Sequence, residues 1–331
     1  MAAGPSRLSQ DDYPIACICP RGVELAAVQA MLDDIHEPLP SARDQNSYTL
    51  GRIGNHNIVV AVMPDIGNNQ AALVATQLLN DFRSIRFGLL VGIGGGIPGE
   101  EGEDDIRLGD VVVSKPTATF GGVVQYDRGK NHVGGHFERT GSLRKPPAIL
   151  SANVQQLQAQ QARCGNQAVK YLTEMLQKYP NMAKEQYIYQ GHEHDRLFMP
   201  GYLHERGATC RKCDPNQVVE RAERRGTQPR IHYGTIASGN TLIRDGAMRE
   251  KLRKDLGVLC VDMEAAGLMD EFPCLVVRGI CDYADSHKDK RWQPYASATA
   301  AAYVKELLNL IPPHEIRSVR TAVEALRKSS E

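Results

Sequence analysis

PIACICPRGVELAAVQAMLDDI, residues 14–35, is the stretch whose reading decides the fold. Pro14 to Pro20 is a short apolar run bounded by prolines, which reads as a buried strand. LAAVQAMLDDI follows it with apolar residues at helical spacing, so the stretch is a strand, a loop and a helix.

The same alternation continues outward. NHNIVVAVM (55–63) reads as a second buried strand, and NNQAALVATQLLNDF (68–82) as a helix with Ala71, Val74, Ala75, Leu78 and Leu79 on one side. FGLLVGIGGGIPG (87–99) runs from a strand into a glycine turn, and IRLGDVVVSKP (106–116) holds another strand. GVLCVDMEAAGLMDEF (257–272) joins a short strand to a helix. PCLVVRGICDYAD (273–285) is a strand ending in acidic residues, and ASATAAAYVKELLNLI (296–311) is a closing helix before two prolines. Strands alternating with helices predict an α/β architecture, in which ligands collect beyond the carboxyl ends of the strands.

The 331 residues fit one large domain over 12–312, with a flexible N-terminus at 1–11 and a charged helical tail or linker at 313–331. Between about 155 and 230 periodicity fades, which predicts an insertion over the site. Lys plus Arg and Asp plus Glu both total 39, so there is no basic field to draw a nucleic acid. The first residues lack an apolar signal core and no run of about 18 apolar residues occurs, which predicts a cytoplasmic protein without membrane contact. Five of the eight cysteines lie in apolar, strand-like surroundings and are expected as free thiols.

Three motifs could carry chemistry. The run VGIGGGIPG permits positive φ and close approach of a ligand, but a dinucleotide fingerprint should open the first strand-helix unit and lead into a helix, whereas GEEGEDDIR follows here. An oxidoreductase is thereby disfavoured. In VDMEAAGL, Glu264 stands in a small apolar setting where an ionised carboxylate needs hydrogen bonds, such as sugar hydroxyls supply; Asp262 reads as a helix cap. In VVRGICDYAD, Asp282 ends a strongly apolar strand, a position that suits a general acid. Loss of a purine from ribose leaves negative charge on the base and positive charge on the sugar. An acid at N7 and a carboxylate near the sugar serve the two halves.

VGIGGG, RLGDVVVS, IASGN, VDMEAAG and ICDYAD, in this order, resemble the signatures of the nucleoside phosphorylase and nucleosidase superfamily. DRLF, CRKCD and IHYGTIASGN are similar to its fungal branch, where this domain precedes NTPase and repeat modules. The resemblance spans nearly all of residues 12–312. It implies a three-layer α/β/α sandwich with a mixed central sheet, closed on itself in part. It also implies Asp282 as the acid at the base, Glu264 as the ribose clamp and Met263 as an apolar neighbour of the sugar. Leu242 and Ile243 would wall the base, and Gly92, Ile93, Gly94 and Gly95 would approach the sugar. Asn240 would join the substrate-binding set, and Glu24 would activate water.

The function implied is hydrolysis of a purine nucleoside, with adenine as first choice of base because a carboxyl can pair with N7 and accept from a 6-amino group. No cofactor and no metal is implied. Phosphorolysis is the alternative: the phosphorylase branch has an arginine directly before the glycine turn, where Leu90 and Val91 stand here, although Arg21 offers a substitute. A second alternative is a nucleoside- or nucleotide-sensing module without turnover. Homo-oligomers are the rule in the superfamily. The insertion adds arginines that would close over the site or hold 5′ phosphates, and His204, Cys210 and Cys213, which could form a partial zinc site, although one C-x-x-C lacks the second pair of a structural zinc module.

Overall fold

Ile15–Cys19 (β1) is buried along its whole length, as its unbroken apolar run requires of a strand covered on both faces. The computed structural model describes residues 8–39, 46–99, 104–117, 119–204, 207, 209–224 and 226–327. After β1 come α1 (Gly22–Met31), β2 (Asp34–Ile35), β3 (Tyr48–Ile53), β4 (His56–Val62), α2 (Asn68–Asp81) and β5 (Phe87–Gly96). Next are β6 (Val111–Ser114), β7 (Val123–Gln125), β8 (Gly129–Asn131), β9 (Phe137–Arg139), α3 (Ala148–Cys164), α4 (Ala168–Lys178) and α5 (Asn181–Lys184). The chain continues with β10 (Ile231–Ser238), α6 (Gly246–Leu256), β11 (Val258–Asp262), α7 (Ala265–Met269), β12 (Cys274–Asp282), α8 (Trp292–Leu310), α9 (Pro313–Ser318) and α10 (Ala322–Arg327).

One sheet carries the molecule, in the order β11-β10-β6-β12-β5-β1-β4-β3-β2, with β7 beside β10. It is mixed. β1 lies parallel to β4 and β5, and β12 parallel to β5, while β12 runs antiparallel to β6. β11 pairs in parallel with β10 and also, antiparallel, with β5, so β5, β12, β6, β10 and β11 close into a ring. The α/β class and the partly closed mixed sheet are thus as expected. Helices α1, α3 and α4 pack on α8, and α2 packs on α7.

Three local expectations change. The glycine turn expected after the third strand is strand as far as Gly96, and none of Gly92, Gly94, Gly95, Gly96 or Gly99 has positive φ. These glycines provide space instead. A Cβ on Gly92 would lie 2.2 Å from Arg278 Nη1 and 2.5 Å from Glu24 Oε1, and one on Gly94 2.7 Å from Cys260 Sγ. Side chains of β11, β12 and α1 occupy the volume that a residue with a side chain would take on β5.

The stretch 155–230 divides in two. Leu157, Leu172 and Met175 of α3 and α4 belong to the main core, so this half is part of the helical layer rather than a lid; only the half after α5 is irregular. The tail is helical through Arg327, as expected, and packs on the body rather than leading away as a linker. Ile316 and Ala322 are buried, Ala322 N donates to Ile85 O, and Arg86 donates to Val319 O. Among the described residues no helix is long and apolar enough to cross a membrane.

Candidate active site

The strands end around a cavity of about 710 Å³. Its walls are Pro20, Arg21, Gly22 and Glu24 beyond β1, Met63 to Ile66 beyond β4, Ile93 to Gly95 near the end of β5, and Thr241 to Arg244 beyond β10. Val261 to Glu264 at the end of β11, Cys281 and Asp282 at the end of β12, and Lys288, Asp289, Lys290 and Gln293 complete it. Of the residues expected here, Asp282, Glu24, Glu264, Met263, Ile93, Gly94, Gly95, Leu242 and Ile243 line the cavity. Leu242 stands at the mouth, 57% exposed, while Ile243 is buried behind it.

Gly92 and Asn240 are not in the lining. Gly92 lies beneath it, where the absence of a side chain leaves room for Arg278 and Glu24. Asn240 is taken up with the scaffold: its Oδ1 accepts from Asn68 N and Nδ2, and its N–H donates to Asp127.

At the floor lies a buried charge cluster. Arg278 is fully buried in the middle of β12, donates to Asp262 Oδ2 through Nε (3.0 Å) and Nη2 (2.6 Å), and from Nη2 to Glu264 Oε2 at 3.0 Å. Asp262 Oδ1 accepts from Ala265 N at 3.3 Å, the capping role expected from its position. Burial pulls Arg278 down, but Asp262, Glu264 and Glu24 outweigh it and hold the guanidinium firmly protonated. Burial pushes Glu264 above the usual carboxylate range, opposed by Arg278 and aided by Asp262.

Glu24, in the first turn of α1, is the third carboxylate around Arg278. Its Oε1 accepts from Ile93 N at 2.8 Å, while Oε2 is buried without a hydrogen-bond partner among the described residues. Burial pushes its carboxyl up to about 7, against the lowering pull of Arg278 and of the Ile93 N–H. A base poised near neutrality with an unused lone pair results. Asp282 differs: its Oδ1 accepts from Ala284 N and from Lys288 Nζ, both at 2.8 Å, and Cys281 Sγ donates to Oδ2 at 3.3 Å.

Arg278 and Lys288 escaped the sequence reading. Arg278 is the one charge in the apolar run from Cys274 to Cys281, and a buried charge demands a partner, which was a readable signal. Lys288 lies in the polar KDK run, and nothing local tells it from Lys290.

Among the described residues, none of the irregular segment lines the cavity. Two of its arginines are occupied behind it: Arg221 Nη2 stands 3.1 Å from Asp195 Oδ2, and Arg224 Nη1 2.6 Å from Asp110 Oδ1, so these two are not placed to hold substrate phosphates, while Arg206 and Arg225 lie outside the described residues. The segment instead grips the chain just past Asp282. Tyr283 donates to Asp195 and receives a hydrogen bond from Arg221, and His204 N donates to Ser286 Oγ at 2.9 Å.

Arg278→Met is expected to cost about 3 kcal/mol or more of stability, because Asp262 is left as an uncompensated buried charge. The check is urea unfolding of that protein and of Arg278→Met with Asp262→Asn. The double variant should recover part of the loss, and equal loss in both would mean that packing, not charge, sets the cost.

Residues 14–310 match the family model described as the Phosphorylase superfamily. A nucleotide-binding leucine-rich repeat (NLR)-like protein of Hyaloscypha variabilis is 44% identical over 316 residues, which are 95% of this chain and 31% of that protein. The ATP nucleosidase Cap17 of Escherichia coli is 42% identical over 84 residues, 24% of this chain and 17% of its own length. The chain therefore spans a third or less of these curated relatives. The 5′-methylthioadenosine/S-adenosyl homocysteine nucleosidase of Helicobacter pylori superposes with a TM-score of 0.57 at 17% identity, covering 91% of this chain and 99% of that one; at that identity the likeness is one of fold.

Proposed function

We propose, for a chain that belongs to the Phosphorylase superfamily, that it hydrolyses the N-glycosidic bond of a purine nucleoside or nucleotide, releasing the free base. The observation that carries this reading is Glu24, a buried carboxyl near neutrality whose second oxygen has no partner among the described residues, at the floor of a cavity with Asp282 in its wall.

In the proposed reaction the C1′–N9 bond breaks and its electron pair goes to the base. Asp282 delivers a proton to N7, and the Lys288 ammonium, 2.8 Å from Oδ1, stabilises the carboxylate that this leaves. The sugar becomes cation-like, and the floor cluster suits it: one guanidinium among Glu24, Asp262 and Glu264 leaves an excess of negative charge. Glu24 takes the proton from a water as its oxygen bonds to C1′. Glu264 and Met263 would meet the sugar, with Ile243 and Leu242 beside the base. Adenine is favoured because the carboxyl at N7 can also accept from a 6-amino group.

Water is favoured over phosphate because the floor arginine is already committed to two carboxylates, and a phosphate would sit against their charge. One observation favours phosphorolysis instead: Arg21 lines the cavity and its side chain has no partner among the described residues. Free-base release from adenosine, guanosine, inosine and ATP, with and without phosphate, separates the two. Release without phosphate sustains hydrolysis, strict phosphate dependence makes it phosphorolysis, and no release from any substrate leaves a binding module.

Arg21, Arg244 and Lys290, all exposed at the rim and without side-chain partners among the described residues, favour a substrate with phosphates at its 5′ end. That the relative Cap17 is called an ATP nucleosidase agrees with this. Arg21→Ala with Arg244→Ala is expected to raise KM for ATP about tenfold or more and leave adenosine within about twofold, measured by base release. Equal changes for both substrates would sink the phosphate assignment.

A further inference from the structure

Behind the loop that comes after Asp282, the irregular segment gathers three side chains outside the proposed active site. His204 Nδ1, Cys210 Sγ and Cys213 Sγ all lie within 4.8 Å of one another. We propose that they bind a zinc ion, with His287 of the Asp282 loop as the fourth ligand, so that the metal clasps the segment to the loop.

The distances fit. With Zn–S near 2.3 Å and Zn–N near 2.0 to 2.1 Å, a tetrahedral site separates its nitrogen and sulfur atoms by about 3.6 Å. Cys210 Sγ stands 3.6 Å and Cys213 Sγ 3.4 Å from His204 Nδ1. Hydrogen bonding explains this less well: neutral imidazole has one in-plane lone pair at Nδ1, and one thiol satisfies it. Two sulfurs converging on the same nitrogen are placed as co-ligands.

The tautomer fits as well. His204 Nε2 donates to Gly207 O at 3.0 Å, which puts the proton on Nε2 and leaves Nδ1 as the electron-pair donor. A metal-bound histidine is usually held in this way, by its other nitrogen on a carbonyl.

His287 supplies the independent observation. Its side chain is 2% exposed, yet neither ring nitrogen has a hydrogen-bond partner among the described residues. A buried imidazole without partners is costly, and a ligand removes the cost. The ring is stacked on Phe198 with centroids 3.9 Å apart, and it meets the His204 ring edge-on at 5.5 Å. Asp285 Oδ1 lies 3.7 Å from His287 Nδ1, from where it can orient the ring that binds metal through its other nitrogen. Two thiolates and two imidazoles are a donor set typical of structural zinc.

The consequence for the cavity is positional. His287 lies between Asp285 and Lys288, and Lys288 is the partner of Asp282, so a metal on His287 fixes the loop that carries the charge next to the proposed acid. The metal takes no part in bond making.

The test is metal analysis of the full chain purified without chelator, followed by removal of the metal and titration with cobalt(II). One zinc per chain is expected, and cobalt should give visible ligand-field bands with a sulfur-to-metal charge-transfer band. Cys213→Ser should weaken binding about 100-fold or more and lose part of the charge transfer, and His287→Ala should weaken it about 10- to 100-fold. Chelating the wild-type protein should speed amide exchange at residues 283–289 and leave the sheet unchanged, a readout that requires no variant to fold. Absence of zinc together with absence of a charge-transfer band at equimolar cobalt overturns the site, as does a Cys210–Cys213 disulfide in the purified protein. A cobalt affinity unchanged by His287→Ala overturns the fourth ligand and with it the clasp.

Discussion

Asp282→Asn is expected to lower turnover by about 10²- to 10⁴-fold, the range a positioned general acid contributes, and to leave the fold intact. Asparagine keeps the size of the side chain, and its carbonyl can still accept from Ala284 N, which donates to the aspartate at 2.8 Å. The amide cannot release a proton to N7, however, and it cannot become the carboxylate that Lys288 would stabilise. Single-turnover base release from the preferred substrate is the measurement, with circular dichroism as the control of folding. If turnover stays within a few-fold of wild type, Asp282 is not the acid. If substrate affinity survives while the chemical step is lost, the interaction is one made in the transition state. A sensing module without catalysis would instead show no turnover in either protein.

Much of the frame was legible because its signals are local. The run from Ile15 to Cys19 could only be a covered strand, and the spacing of Ala71, Val74, Ala75, Leu78 and Leu79 could only bury one side of a helix. Ring closure through β11 and β5 was implied by resemblance alone, because the pairing of Val261 with Gly95 depends on residues far apart in sequence. The glycines were misread for a related reason. A glycine that makes a turn and one that admits a neighbour's side chain look the same in sequence, and only the positions of Arg278, Glu24 and Cys260 tell them apart.

The candidate site was legible by halves. Asp282 and Glu264 stand in apolar surroundings where a carboxylate needs an explanation, and both line the cavity. The cations that balance them were not found, since Arg278 sat inside a strand pattern read only for its apolar content. The irregular segment misled because weak periodicity shows that a stretch lacks regular structure but not which face it covers. Its contacts fall on Tyr283 and Ser286 behind the cavity rather than over its mouth.

Glu24→Gln should separate stability from activity. The Glu24 carboxyl, raised to about 7 by burial, titrates near 4.3 in an unfolded chain. Between those values the folded protein holds a proton that the unfolded chain has released. Stability is therefore greatest below about pH 4 as far as this group is concerned, and it falls as pH rises through about 7, by about 4 kcal/mol in all. Glutamine carries no charge at any pH and escapes that loss, so the variant should melt higher than wild type at about pH 8, with the two converging toward about pH 5. Turnover should move the other way. Water activation needs the ionised carboxylate, so kcat/KM of the wild type should rise through about pH 7, and Glu24→Gln should lose about 10²-fold or more together with that limb. A variant that keeps the limb would place the base elsewhere. One that loses turnover without gaining stability at alkaline pH would mean that Glu24 is ionised in the folded protein well below neutrality, positioning the water rather than taking its proton.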